Sequence, residues 1–146
     1  MKNQSVVTIG VIGCGQWGPN HIRVLSQLPH SRVLVCADLS PERLRSVKAL
    51  FPHLHTTTNY KDILHSKEID AVCIASPTNT HFSLAKESLE WGKHVLCEKP
   101  LTLSIKECGV LKRLARRKKK ILMVGHIFVF NPGIIKNKKG RFYYNG

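Results

Sequence analysis

The sequence has no apolar run near the ~20 residues that a membrane-spanning helix needs, no Cys-x-x-Cys pair, no internal repeat and no low-complexity linker. A membrane span, a zinc or disulfide framework and a repeat architecture are thereby set aside as readings of it. The cysteines Cys14, Cys36, Cys73, Cys97 and Cys108 are odd in number, and Cys36, Cys73 and Cys97 sit inside apolar runs. There they serve as small hydrophobes, a usage that fits a reducing cytoplasm. The eight histidines lack metal-ligand spacing; His53 and His55 stand beside Pro52 in what reads as a loop or edge strand, and no metal site is expected.

Acidic residues are also scarce, nine against 23 basic ones, for a net charge of +14. The deficit is local, because residues 1–100 hold 11 basic and 8 acidic side chains whereas residues 101–146 hold 12 basic ones and only Glu107. Lys112, Arg113, Arg116, Arg117, Lys118, Lys119 and Lys120 form one cluster; Lys136, Lys138, Lys139 and Arg141 form another. Neither is interleaved with the aromatic side chains of a stacking platform, which disfavours nucleic acid as the partner. Cations gathered at a solvated helix C-terminus explain the first cluster better.

What is present is one domain's worth of ordinary globular sequence: 146 residues, 42% hydrophobic and 22% charged. Met1 to Gly15 has the outline of a signal peptide, but Lys2 is a weak basic start and a glycine-rich loop accounts for the same residues. Short apolar runs at 6–12, 33–37, 71–75, 93–97 and 121–124, with a weak one near 55–57, alternate with helix-period segments near 18–28, 60–65 and 80–90. A further helix runs from Ser104 to the basic cluster, and Ser40 with Pro41 supplies an N-cap and a first helical residue for another. Strands apolar on both faces, joined by connections of a dozen or more residues, predict a doubly wound α/β fold with a parallel sheet. Ligands of such sheets lie beyond the carboxyl ends of the strands.

Chemistry-bearing residues collect at those ends. Gly13-Cys14-Gly15-Gln16-Trp17-Gly18 fits G-x-G-x-x-G between a strand and a helix. In that setting Gly13 makes the tight turn, Gly15 admits a pyrophosphate to the backbone and Gly18 lets helix and strand pack closely. Asp38 follows the second strand, twenty residues after Gly18, where a carboxylate accepts the adenosine ribose hydroxyls. A 2′-phosphate would meet it as a like charge, so NAD is expected over NADP, a preference that Arg43 and Arg45 blunt. Ser76-Pro77-Thr78-Asn79-Thr80-His81 and Glu98-Lys99-Pro100 follow two further strands. Taken by themselves, Thr78 or Thr80 could cap a helix, His81 could be a capping or packing histidine, and Glu98 with Lys99 could be a surface ion pair.

With Gly18-Pro19-Asn20, Ala37-Asp38, Ala75-Ser76-Pro77-Thr78-Asn79-Thr80-His81, Gly92-Lys93-His94-Val95-Leu96-Cys97-Glu98-Lys99-Pro100-Leu101 and Val124-Gly125-His126, the chain resembles the nucleotide-binding Rossmann domain of the Gfo/Idh/MocA oxidoreductases over residues 5 to about 132. The resemblance implies hydride transfer between a nicotinamide and a secondary alcohol of a sugar, inositol or nucleotide sugar. It makes Lys99 the catalytic residue, hydrogen-bonded to the reacting hydroxyl, a role that calls for partial desolvation of the ammonium. It places Glu98 on the nicotinamide ribose and Ser76, Pro77, Thr78 and His81 along the middle of the cofactor. His126 would approach the nicotinamide edge, with Gly13, Gly15, Gln16, Trp17, Gly18, Asp38 and Arg43 around the rest.

Family members are roughly twice as long and carry a second α/β domain over the substrate, so the expected division is a cofactor domain over 1–130 and a basic tail over 131–146. From the missing second domain follow little turnover by the chain alone and a tail that pairs with another chain or with a second copy. A non-catalytic dinucleotide-binding module is the competing expectation.

Overall fold

The structure, a computed structural model, describes residues 6–126. Six strands, β1 (Val7–Ile12), β2 (Ser31–Ala37), β3 (His55–Thr57), β4 (Ala71–Ile74), β5 (His94–Cys97) and β6 (Leu122–Val124), alternate with five helices. These are α1 (Gly18–Gln27), α2 (Pro41–Leu50), α3 (Lys61–His65), α4 (Thr78–Glu90) and α5 (Ile105–Lys118). All neighbouring strands pair in parallel, in the order β3-β2-β1-β4-β5-β6. The chain therefore starts in the middle of the sheet, winds outward to β3, then crosses to β4 and winds outward to β6. Between β1 and β4 the strand order reverses, and the loops after these strands part to leave a cleft.

The strands read as unbroken apolar runs because helices cover both faces. On one face Ile9, Val11, Val33, Cys36 and Cys73 pack with Ile22 of α1 and Leu44 and Val47 of α2. On the other Ile12, Val72, Ile74, Val95 and Cys97 pack with Ile63 of α3, Leu84 and Leu89 of α4 and Leu111 of α5. Alternate residues of a strand point to opposite faces, so β1 contributes Ile9 and Val11 to one layer and Ile12 to the other. Gly10 belongs to the second set, and a Cβ there would collide with Ile63, so its missing side chain is what lets α3 sit close.

Local chemistry sets the helix ends. Ser40 accepts the Arg43 amide as N-cap of α2, with Pro41 at the first position, and Ser104 accepts the Lys106 amide at the start of α5. Gly92, at φ +73°, ends the α4 segment. Arg116, Arg117 and Lys118 occupy the last turn of α5, as expected of cations beside a helix C-terminus, and Lys118 donates to the Glu90 carbonyl at 2.9 Å. This end of the sheet is opposite the cleft.

Two expectations are corrected. Neither threonine caps α4: it begins at Thr78 after Pro77, with no side-chain cap, and the Thr80 hydroxyl instead donates to the Pro77 carbonyl at 2.7 Å. Glu98 and Lys99 form no side-chain ion pair among the described residues, because Glu98 is turned toward α1. The expected boundary near residue 130, the tail over 131–146 and the second cation cluster lie outside the described residues.

Candidate functional site

The glycine loop leaves β1 with Gly13 at φ +97°, where a Cβ would lie 2.6 Å from the Ala75 carbonyl carbon and oxygen. The turn thus needs glycine twice over, for its backbone angle and for its contact with the end of β4. A Cβ on Gly18 would run into the Gly13 carbonyl, so the start of α1 lies directly against the turn. Gly15 differs from both. A Cβ there would meet only the Arg43 guanidinium tip, at 3.9 Å, and otherwise faces open space.

Asp38 is the hinge of this edge. Its side chain is 8% exposed, its Oδ2 accepts the Cys14 amide at 2.7 Å, and its Oδ1 accepts the Ser40 amide at 2.8 Å. One carboxylate thereby ties the glycine loop to the start of α2, and the Arg43 guanidinium stands 3.6 Å away as its counter-charge. Cys14 lies beneath the loop, where a hydrogen bond with Cys36 and burial push its thiol well above the usual range. Burial likewise raises Cys73 and Cys97 to about 12, so these three thiols are packing groups rather than nucleophiles.

Between these loops lies a cleft of about 380 Å³, lined by Gly13, Asp38, Arg43, Ser76, Pro77 and Thr80, together with Thr58, Tyr60 and Leu84. Its walls are mostly apolar, with Asp38 and Arg43 on the side of β2. A second hollow of about 550 Å³ lies on the outer side of Asp38, against α2. Tyr60, not foreseen from the sequence, is held by donating to Glu87 Oε2 at 2.8 Å, which raises its phenol. Thr80, which the sequence offers only as a cap, lies in the first turn of α4 with its hydroxyl 2.7 Å from that of Ser76.

Glu98 and Lys99 follow β5, two strands along from the glycine loop. The Glu98 carboxylate lies 2.7 Å from His21 Nε2 and also accepts the Lys99 amide at 3.2 Å. Lys99 itself is exposed, and its peptide bond to Pro100 is cis. His126 is exposed just past β6, and Gly125 before it brings its backbone against Glu98, where a Cβ would stand 3.3 Å from Oε1. Sequence reading missed His21, although a histidine three residues after Gly18 on an amphipathic helix was a visible signal.

His81 lies under the site rather than in it. It is 1% exposed, with Nδ1 2.8 Å from the Pro100 carbonyl and Nε2 2.9 Å from the Ser76 carbonyl. The packing role left open by the sequence is the one its geometry supports: it ties the loop after β4 to the loop after β5. A neutral imidazole can donate to only one of the two carbonyls at a time. Gln16 and Trp17 are exposed at the lip of the glycine loop, and Thr78 lies at the N-terminus of α4 outside the cleft lining.

The amides of Gly15, Gln16 and Trp17 donate to no acceptor among the described residues, although they stand at the N-terminus of the ten-residue helix α1. Open donors there, with uncovered space over Gly15, suit an anionic diphosphate. Among the described residues no group of three or more His, Cys, Asp or Glu side chains could hold a metal ion, and no helix is long and apolar enough to cross a membrane.

Comparison with known proteins gives the same picture. The model of an oxidoreductase family, NAD-binding Rossmann fold, matches residues 7–126. An inositol 2-dehydrogenase of Rhodococcus erythropolis is 33% identical over 133 residues, covering 90% of this chain and 38% of that protein. Among solved structures, a 3-ketoreductase variant from Actinomadura kijaniata in complex with TDP-benzene and NADP superposes with a TM-score of 0.82 at 26% identity, over 90% of this chain and 42% of the other. The gentamicin A biosynthesis protein GenD2, in complex with NAD, does so with a TM-score of 0.85 at 26% identity, over 90% and 38%. The chain spans well under half the length of the proteins it matches.

Proposed function

Since the chain belongs to the Gfo/Idh/MocA oxidoreductase family and carries the family's NAD-binding Rossmann fold over residues 7–126, we propose that it is the cofactor-binding part of a dehydrogenase acting on a secondary alcohol of a sugar, inositol or nucleotide sugar. The observation that carries this reading is the placement of the glycine loop, Asp38 and Glu98-Lys99 on one edge of the sheet, across the point where the strand order reverses. Adenosine fits the apolar cleft beside Asp38, the diphosphate fits the open amides of Gly15 to Trp17, and the nicotinamide end then points toward Glu98, Lys99 and His126. When bound, the nicotinamide supplies hydride acceptance or donation.

The chain's own residues supply binding, orientation and proton handling. The α1 N-terminus offers donors and a positive dipole end to the diphosphate. Asp38 accepts ribose hydroxyls with the lone pairs that Cys14 and Ser40 leave free. Glu98 orients the nicotinamide ribose. The Lys99 amine hydrogen-bonds the substrate hydroxyl and takes its proton when the alcohol is oxidised, or returns it when a ketone is reduced. Lys99 stands exposed here, so the partial desolvation that this role calls for falls to whatever covers the edge when substrate is held.

NAD is the favoured cofactor, because the buried Asp38 carboxylate would face a 2′-phosphate as a like charge; Arg43, 3.6 Å away, softens that discrimination. Fluorescence titration with NADH and NADPH tests the reading, with Trp17 at the loop as reporter and Trp17→Phe as the control for Trp91. Saturable quenching that is tighter for NADH is expected. Absence of binding by folded protein would sink the proposal. In a preparation that turns over a sugar alcohol, Lys99→Ala is expected to abolish turnover while leaving NADH affinity within about twofold, since a group active mainly in the transition state leaves ground-state binding intact.

A further inference from the structure

We infer that His21 is a positioning residue for the nicotinamide-ribose end of the cofactor, acting through the Glu98 carboxylate. This rests on the proposed cofactor reading and deepens it. His21 closes the first turn of α1, the helix that the glycine loop opens, and its Nε2 is 2.7 Å from Glu98 Oε1 across 77 residues of sequence. The side chains are 21% and 17% exposed, so the pair is largely screened from bulk water.

Glu98 is gripped from several directions at once. Its amide donates to the Ile74 carbonyl at 3.0 Å, which fixes the backbone against β4. Its Oε2 accepts the following Lys99 amide at 3.2 Å. Gly125 lies beside the carboxylate, and the Gly125 amide donates to the Cys97 carbonyl at 2.8 Å, so β6 closes the third side. His21 is the contact that comes from the diphosphate-binding element. Through it, the helix that would receive the diphosphate and the turn that carries Lys99 share one hydrogen bond.

A glutamate has three side-chain torsions, and a free one must lose them when it binds a ribose. With His21 Nε2–H donating to Oε1 and the Lys99 amide to Oε2, the carboxylate is held in a single orientation before the cofactor arrives, and its remaining lone pairs are free to accept ribose hydroxyls. Removing the donor therefore weakens the nicotinamide half of the cofactor and leaves the adenosine half alone. A residue that merely stabilised α1 would weaken both halves alike.

The experiment is calorimetric titration of the full chain with NADH and with ADP, which carries the adenosine and both phosphates but neither the second ribose nor the nicotinamide. His21→Ala is expected to weaken NADH about tenfold, the scale of one hydrogen bond to a charged group, with ADP unchanged. His21→Gln, whose amide nitrogen reaches the place of Nε2, should recover most of the loss. In a Glu98→Ala background, His21→Ala should have no further effect on NADH. Equal loss for both ligands, no loss for NADH, or a loss that persists without Glu98 would overturn the inference while leaving the cofactor reading intact. If the unaltered chain binds neither ligand, the cofactor reading fails and takes this inference with it. Should His21→Ala not fold, His21→Phe keeps the ring volume without the donor, and the same split is read from it.

Discussion

Asp38 holds Cys14: the carboxylate at the end of β2 accepts the amide of the residue inside the glycine loop at 2.7 Å, so that loop geometry depends on a side chain 24 positions away. The acid placed by sequence reading on the ribose is thus also the strut of the diphosphate loop. Asp38→Ala removes both roles. NADH affinity is expected to fall about 10- to 100-fold, as for hydrogen bonds to a charged group in a half-buried site. NADPH affinity should fall less, because a like charge beside its 2′-phosphate goes too. Parallel titrations with the two cofactors measure the difference.

Two glycines of one motif separate stability from binding. Gly13→Ala forces a side chain into the left-handed region at φ +97° and against the Ala75 carbonyl, 2.6 Å away. A loss of about 2–4 kcal/mol in urea-unfolding free energy is expected from strain and overpacking together. Gly15→Ala meets nothing but the Arg43 tip. Its unfolding midpoint should move little, whereas its NADH affinity should collapse because the methyl occupies the diphosphate's approach.

His81 is buried between the Pro100 and Ser76 carbonyls. His81→Leu keeps volume and strips the donor, which leaves one or both carbonyls without a partner and costs about 1–3 kcal/mol. Chemical denaturation measures that loss. Hydrogen exchange should show faster opening at the Lys99 turn than at β1, since the tie is local to the loops it joins.

Acid sensitivity is expected at the edge away from the cleft. Burial first, and the nearby Lys120 second, lower His94 below its ordinary value against the opposing pull of Asp70, and its Nδ1 accepts the Ile121 amide at 3.0 Å. In the interval between the depressed folded value and the ordinary one, the unfolded chain binds the extra proton. The His94 contribution to stability is therefore complete above about pH 6.5 and is lost as the pH falls from there through the folded value. His94→Asn, which can still accept the Ile121 amide, should flatten the fall in melting temperature over that interval.

The layered α/β architecture was legible in the sequence because its signals are local. Apolar runs too short for helices, Ser40 before Pro41, Ser104 before α5 and Gly92 after α4 each report on the few residues around them, and each matches an observed element within a few positions. The glycine loop was readable for the same reason: Gly13, Gly15 and Gly18 answer to backbone geometry inside a single turn. Sequence alone also placed Asp38 and Glu98-Lys99 at strand ends on one edge, since parallel strands with helical crossovers leave no other place for them.

Only the tertiary structure decided which of these side chains meet. Glu98 turns to His21 rather than to the Lys99 amine, Asp38 spends oxygens on Cys14 and Ser40, and His81 sinks beneath the cleft instead of lining it. The bonds from Glu98 to His21 and from Asp38 to Cys14, 77 and 24 positions apart, follow from strand order and loop direction, and neither is carried by the spacing of residues along the chain. Local pattern specifies elements; the packing of two helical layers on one sheet selects the partners.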